Sequence, residues 1–137
     1  MPKLTAREKL CRKKTEKIVE LESDFAGLKA GSRMFVATPM IVDAFIRAIP
    51  PGEHFTVPAM RNILARRHRC DGACPVSTAI FTRMSAEAAI EAMEDGTDAS
   101  EVTPFWRVLR GSDKIAGRLK LDPLWIDNQR AAEGLPV

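Results

Sequence analysis

Residues 37–58 read ATPMIVDAFIRAIPPGEHFTVP, and a change of hydrophobic period inside them sets the fold. Thr38 can cap a helix and Pro39 suits its first turn, after which Ile41, Val42, Phe45, Ile46 and Ile49 recur at one-face helical spacing. That helix has to stop at Pro50, Pro51 and Gly52, because proline lacks the amide hydrogen and clashes with the preceding turn. Downstream, a second helix is expected after Pro58, with Met60, Ile63 and Leu64 inward and Arg61, Arg66 and Arg67 outward. It ends near the Asp71-Gly72 turn. A third starts at Pro75 and places Val76, Ile80, Met84 and Ala88 at steps of four, a stripe expected to face the core as far as about Met93.

Two helices joined by a short glycine-containing turn are the outline of a helix-turn-helix, with the second member available as a recognition helix. Upstream, Met34 to Ala37 reads as a short strand and Ile18 to Gly31 as a connecting segment. Downstream, residues 103–110 and 114–119 read as two extended runs around the turn of Arg110, Gly111, Ser112 and Asp113, a wing-like hairpin. Asp122 and Pro123 open a last helix that Gly134 closes. The expected architecture is therefore α+β and mostly helical, a winged helix-turn-helix-like domain over residues 32–137. It is preceded over residues 1–31 by a basic arm and connecting segment. The arm holds Lys3, Arg7, Lys9, Arg12, Lys13, Lys14 and Lys17 against Glu8 and Glu16, and is expected to be solvated.

Composition narrows the function classes. In 137 residues, 45% are hydrophobic and 28% charged, which suits one folded domain and excludes a low-hydrophobicity disordered chain. No run of roughly 18 to 20 apolar residues could span a bilayer and no signal-peptide core follows Met1, so a cytoplasmic protein without membrane contact is expected. Three cysteines in such a chain are expected to be reduced thiols. The net charge of +3 is mildly basic and compatible with nucleic acid.

Three short motifs, in order, carry a resemblance. They are Ala37, Thr38, Pro39 and Met40 leading to Ile49, Pro50, Pro51, Gly52, Glu53 and Thr56; then Thr103, Pro104, Phe105, Trp106, Arg107 and Val108; then Lys114, Ile115, Ala116 and Gly117 with Ala132, Glu133 and Gly134. Over roughly residues 37–135 the chain resembles the DNA-binding domain of the alkylguanine-DNA alkyltransferases. The resemblance implies that the family's nucleophilic cysteine falls on Phe105 and its histidine on Trp106, while the orienting glutamate remains as Glu133. A benzene ring cannot attack carbon and an indole N–H is no base. The chain is thus expected to be a non-enzymatic, alkyltransferase-like binder of double-stranded DNA, without a cofactor, that senses alkylated or damaged DNA. It departs further than the alkyltransferase-like proteins do, because the arginine the family inserts into the base stack falls on about Thr78.

The candidate pocket comprises Pro104, Phe105, Trp106, Arg107, Gly117 and Glu133. In it Phe105 and Trp106 form either a stacking platform for an extruded base or a plug of bulky side chains filling the old site. Candidate DNA contacts are Arg61, Arg66, Arg67 and Arg69 around the end of the second helix, and Ser77, Thr78, Thr82 and Arg83 on the first turns of the third. The far half of that third helix is acidic through Glu87, Glu91, Glu94 and Asp95. Cys70 and Cys74 flank the turn beside His68, and Cys74 precedes a helix start that would activate a thiolate. Their Cys-x3-Cys spacing, with His54 the obvious fourth ligand, is not that of a zinc knuckle, and no metal is expected. Two alternatives stand beside DNA binding: a repurposed fold that binds a protein or small ligand, and a thiol enzyme using Cys74 with Cys70.

Overall fold

The computed structural model describes residues 4–12 and 14–137; Lys3 and Lys13 of the basic run lie outside the described residues. The fold is mixed α+β, close to half of it helical, with a small three-stranded sheet. Helix α1 spans Ala6–Cys11 and strand β1 Lys17–Glu20, followed by β2 over Arg33–Val36. Helix α2 is Pro39–Arg47, α3 Val57–Arg67, then a two-residue strand β3, Gly72–Ala73, and the long α4, Pro75–Glu94. The chain closes with 3-10 turns and α5, Pro123–Ala132.

Local chemistry accounts for the helix starts. The hydroxyls of Thr38 and Thr56 accept the amides of Ile41 and Ala59, and the Asp122 carboxylate accepts that of Leu124. Each cap is followed by a proline whose fixed φ suits the first turn. Helix α4 begins at Pro75 after Cys74, which offers no side-chain cap.

The sheet has the order β1-β2-β3, with β1 antiparallel to β2 and β3 parallel to it. Met34 pairs with Gly72 and Phe35 with Ala73, so the strand before α2 grips the turn between α3 and α4. The core lies between α2, α3 and α4 and the segment that follows α4, where Phe35, Val42, Ile46, Met60, Phe105, Leu109 and Ile126 are buried.

Several expectations require correction. Residues 103–119 form no hairpin, and their 3-10 turns span Phe105–Arg107 and Ala116–Arg118. A strand must alternate its side chains, whereas Phe105, Trp106, Val108 and Leu109 are all buried, and a tight turn lets neighbouring residues point inward together. The segment read as a connector supplies β1. The basic arm is exposed as read, apart from Leu10 and half-buried Ala6, and it supplies α1, which packs on α4 with Arg7 paired to Glu91 and Asp95. On α4 the stripe of four faces inward only at its end: Val76 and Ile80 are 56% and 51% exposed, Met84 is half-buried and Ala88 buried, while Thr78, Thr82, Ser85, Ala86 and Ala89 are buried as well. No described helix is long and apolar enough to cross a membrane.

Candidate functional site

Proline at 50 and 51 ends α2, and Gly52 then takes the left-handed conformation at φ +86°, which a residue with a Cβ adopts at a cost. This turn aims the Gly52 amide at Glu133 Oε1, 3.1 Å away at the end of α5. The same carboxylate accepts the Trp106 indole N–H and both Nε and Nη2 of Arg107, Nε at 2.8 Å. Arg107 Nη1 in turn donates to the Ile49 carbonyl at 2.6 Å, and the Arg107 carbonyl accepts the Phe55 amide at 2.9 Å. The three motifs, far apart along the chain, therefore close on one ion pair. Glu133 is pushed up by burial, but the donors from Arg107, Trp106 and Gly52 outweigh this and hold it below the ordinary carboxylate range.

The rings form no platform. Phe105 is fully buried and stacks against Trp125 at 5.8 Å between centroids, and Trp106 meets both edge-on at 5.5 and 5.7 Å. Such a cluster buries several hundred Å² of apolar surface, and its offset geometry adds to the area term. Pro104 is buried with it. Of the six pocket candidates, the structure joins Pro104, Phe105, Trp106, Arg107 and Glu133. Gly117 lies apart from them, exposed in the last 3-10 turn.

A small space of about 170 Å³ borders Pro104, Trp106 and Arg107, and the larger open space is displaced from the rings. A cleft of about 530 Å³ lies between the start of α3 and the loop after the aromatic turn. His54, Thr56 and Pro58 form one wall, Leu109, Arg110, Lys114 and Ile115 the other, and Arg130 of α5 reaches it from beneath. No cysteine lines it. Gly111 makes the second wall possible: it donates to Asp127 at 2.8 Å, and a Cβ there would meet the Pro123 carbonyl at 2.6 Å.

The proposed DNA contacts divide. Thr78 and Thr82 are turned into the core, where their hydroxyls donate to the carbonyls of Cys74 and Thr78, each at 2.7 Å. That self-satisfaction is what lets threonine sit at a buried helical position, and it removes both from any DNA surface. Ser77 and Arg83 are half-buried, and Arg83 pairs with Glu87 at 3.3 Å. Arg66, Arg67 and Arg69 are exposed, Arg67 with its guanidinium 5.0 Å over the Phe45 ring, and Arg61 is half-buried.

The thiols sit elsewhere. Cys74 is buried, its amide bonded to the Phe35 carbonyl, and half-buried Cys70 donates weakly to the His68 carbonyl. His68 lies face to face with Phe35 at 3.8 Å and 3.6 Å from Glu16. Among the described residues, no three or more His, Cys, Asp and Glu side chains converge as a metal site.

Two features carry no sequence motif. Asp43, buried on α2, accepts Ser85 at 2.6 Å and Thr103 at 2.8 Å through Oδ1, tying α2 and α4 to the aromatic segment. Arg130 is 1% exposed; its position four residues after Ile126 is the sequence signal for this, since that spacing puts both on one helix face. No protein-family model, curated protein or solved structure matches this chain.

Proposed function

We propose that the chain binds double-stranded DNA without transferring an alkyl group, using α3 and α4 as a helix-turn-helix. The observation that carries this reading is the charge state of one surface. Arg7, Arg47, Arg83 and Arg107 each pair with a carboxylate, whereas Arg61, Arg66, Arg67 and Arg69 pair with none among the described residues. Unpaired surface guanidiniums at the turn between two helices are free to meet phosphate oxygens, which supply most of the affinity of non-specific binding. The absence of a thiol from the cleft, with Phe105 and Trp106 packed away from it, supports the non-enzymatic part.

Fluorescence anisotropy with a short duplex, plain or carrying O6-methylguanine, tests both parts. Binding that weakens about tenfold in an Arg66→Gln, Arg69→Gln double variant is expected, in line with removal of one to two charged hydrogen bonds. No salt-dependent binding to either duplex removes the DNA reading, and an alkyl mass added to Cys70 or Cys74 removes the non-enzymatic one.

One observation favours a protein-binding module instead. The outward face of α4 presents Val76 and Ile80 where a base-reading helix would present polar side chains. If Ile80→Asp leaves duplex affinity intact but abolishes capture of a protein partner, that module is the better account.

A further inference from the structure

The cleft beside α3 has an electrostatic peculiarity that DNA binding does not use. Arg130 is almost wholly buried, yet it faces no carboxylate at salt-bridge distance. Its Nε donates to the Pro136 carbonyl at 2.6 Å and its Nη1 to the carbonyls of Trp106 and Leu109, while Nη2 has no hydrogen-bond partner among the described residues. Nη2 is not sealed off completely, and Arg130 is one of the residues that line the cleft.

Other charges deepen the imbalance. Burial and then the nearby charge of Arg110 disfavour the charged form of Arg130 and outweigh the weaker pull of Asp113, Asp127 and Glu133, none of them at salt-bridge distance, and a guanidinium does not relieve such stress by losing its proton. Lys114 adds a third cation to the wall. Asp113, the one carboxylate of the lining, spends Oδ2 on the Arg110 amide at 2.7 Å. Three cations against one carboxylate leave the cleft positive, and an unpaired buried charge is costly until a counter-charge arrives. The hydroxyls of Thr56 and Ser112 and the imidazole of His54 add polar partners, and Phe55, Val108 and Ile115 an apolar wall.

We propose that this cleft binds a small phosphate monoester with an apolar or aromatic body. Its phosphate sits on Arg130 Nη2, Arg110 and Lys114, and its body lies against Phe55, Val108 and Ile115. Phosphate suits three separated donors better than a carboxylate does, because it brings nearly two charges and three strong acceptor oxygens. The site stands independently of the duplex-binding reading, since it uses none of Arg61, Arg66, Arg67 or Arg69.

Calorimetric titration of the full chain with AMP, phenyl phosphate, adenosine and inorganic phosphate tests it. Saturable binding of the two monoesters is expected, with adenosine inert. Affinity should fall about tenfold in Arg110→Gln and in Lys114→Gln, as expected when each removes one charge-assisted hydrogen bond. Neither variant should lower the thermal midpoint without ligand, and both should lack the upward shift that saturating AMP gives the parent. Arg130→Gln would put folding itself at risk, so these two variants stand in for it. Absence of monoester binding, unchanged affinity in both variants, or a response to duplex DNA alone overturns the proposal. Anisotropy of the Arg66 and Arg69 variants reports separately on duplex binding, so either reading can fail while the other stands.

Discussion

At the scale of single residues, Glu133 ties two distant segments to the end of α5, because three residues, Gly52, Trp106 and Arg107, donate to one carboxylate that is 15% exposed. Glu133→Ala leaves Arg107 shielded and uncompensated, and should cost roughly 2 to 4 kcal/mol in urea unfolding, as removal of one partner from a largely buried pair does. The pH dependence has a definite sign. A carboxyl whose folded pKa is depressed contributes stability that is fully present above its unfolded value near 4.5 and is lost as the pH falls through the folded value. Unfolding midpoints taken between pH 7 and pH 3 should therefore drop for the parent below about pH 4.5, and this component should vanish in Glu133→Gln. At Gly111 the constraint is steric, and Gly111→Ala should cost about 1 to 3 kcal/mol through overpacking against the Pro123 carbonyl. Thermal denaturation of that variant checks it, and a midpoint equal to the parent's would show that the loop yields. Glu133 and Arg107 are visible in the sequence as motif positions. Arg130 is visible only through its spacing from Ile126 and Asp43 not at all, because a charge on a core face announces itself fully only once the neighbours that satisfy it are known.

At the scale of elements, the helix starts are legible in the sequence because capping is local chemistry. Thr38 with Pro39, and Asp122 with Pro123, bond to amides two or three residues away, and no distant contact can alter that arithmetic. Thr56→Ala should accordingly cost about 1 kcal/mol, measured by chemical denaturation, by freeing the Ala59 amide. The segment expected to form a wing is not legible because its shape depends on tertiary choice: an apolar stretch containing Pro104 can pair as a strand or coil so that adjacent side chains share one core. The inward face of α4 is hidden for a related reason. Valine and isoleucine outrank threonine in any hydrophobic pattern, but threonine cancels its own hydroxyl against the preceding turn, and small side chains let α2 approach closely. Thr78→Val and Thr82→Val, being buried, should leave duplex affinity within about twofold of the parent in anisotropy. A larger drop would mean that these positions meet the nucleic acid after all.

At the scale of the whole molecule, charge is sorted more finely than a net +3 suggests. The acidic end of α4 is met by the N-terminal segment, with Arg7 on Glu91 and Asp95, and Lys14 lies 5.1 Å over the Phe81 ring of the same helix. These contacts are exposed and screened by salt, so Glu91→Gln should quicken trypsin cleavage after Arg7 and Lys9 while leaving the global unfolding midpoint in place. With Arg7 spent on this internal acidic surface, Arg61, Arg66, Arg67 and Arg69 of α3 and its turn pair with no carboxylate among the described residues. If four of them meet phosphates, the slope of log K against log salt should be about −3.6, at roughly 0.9 per phosphate. Raising salt from about 50 to 200 mM should then weaken duplex binding roughly a hundredfold. The Arg66→Gln, Arg69→Gln variant should flatten the slope by about 2, because each arginine withdrawn from a phosphate subtracts close to one unit. Affinity that ignores salt would instead assign the interaction to the apolar face of Val76 and Ile80, since burial of hydrocarbon is not screened by ions.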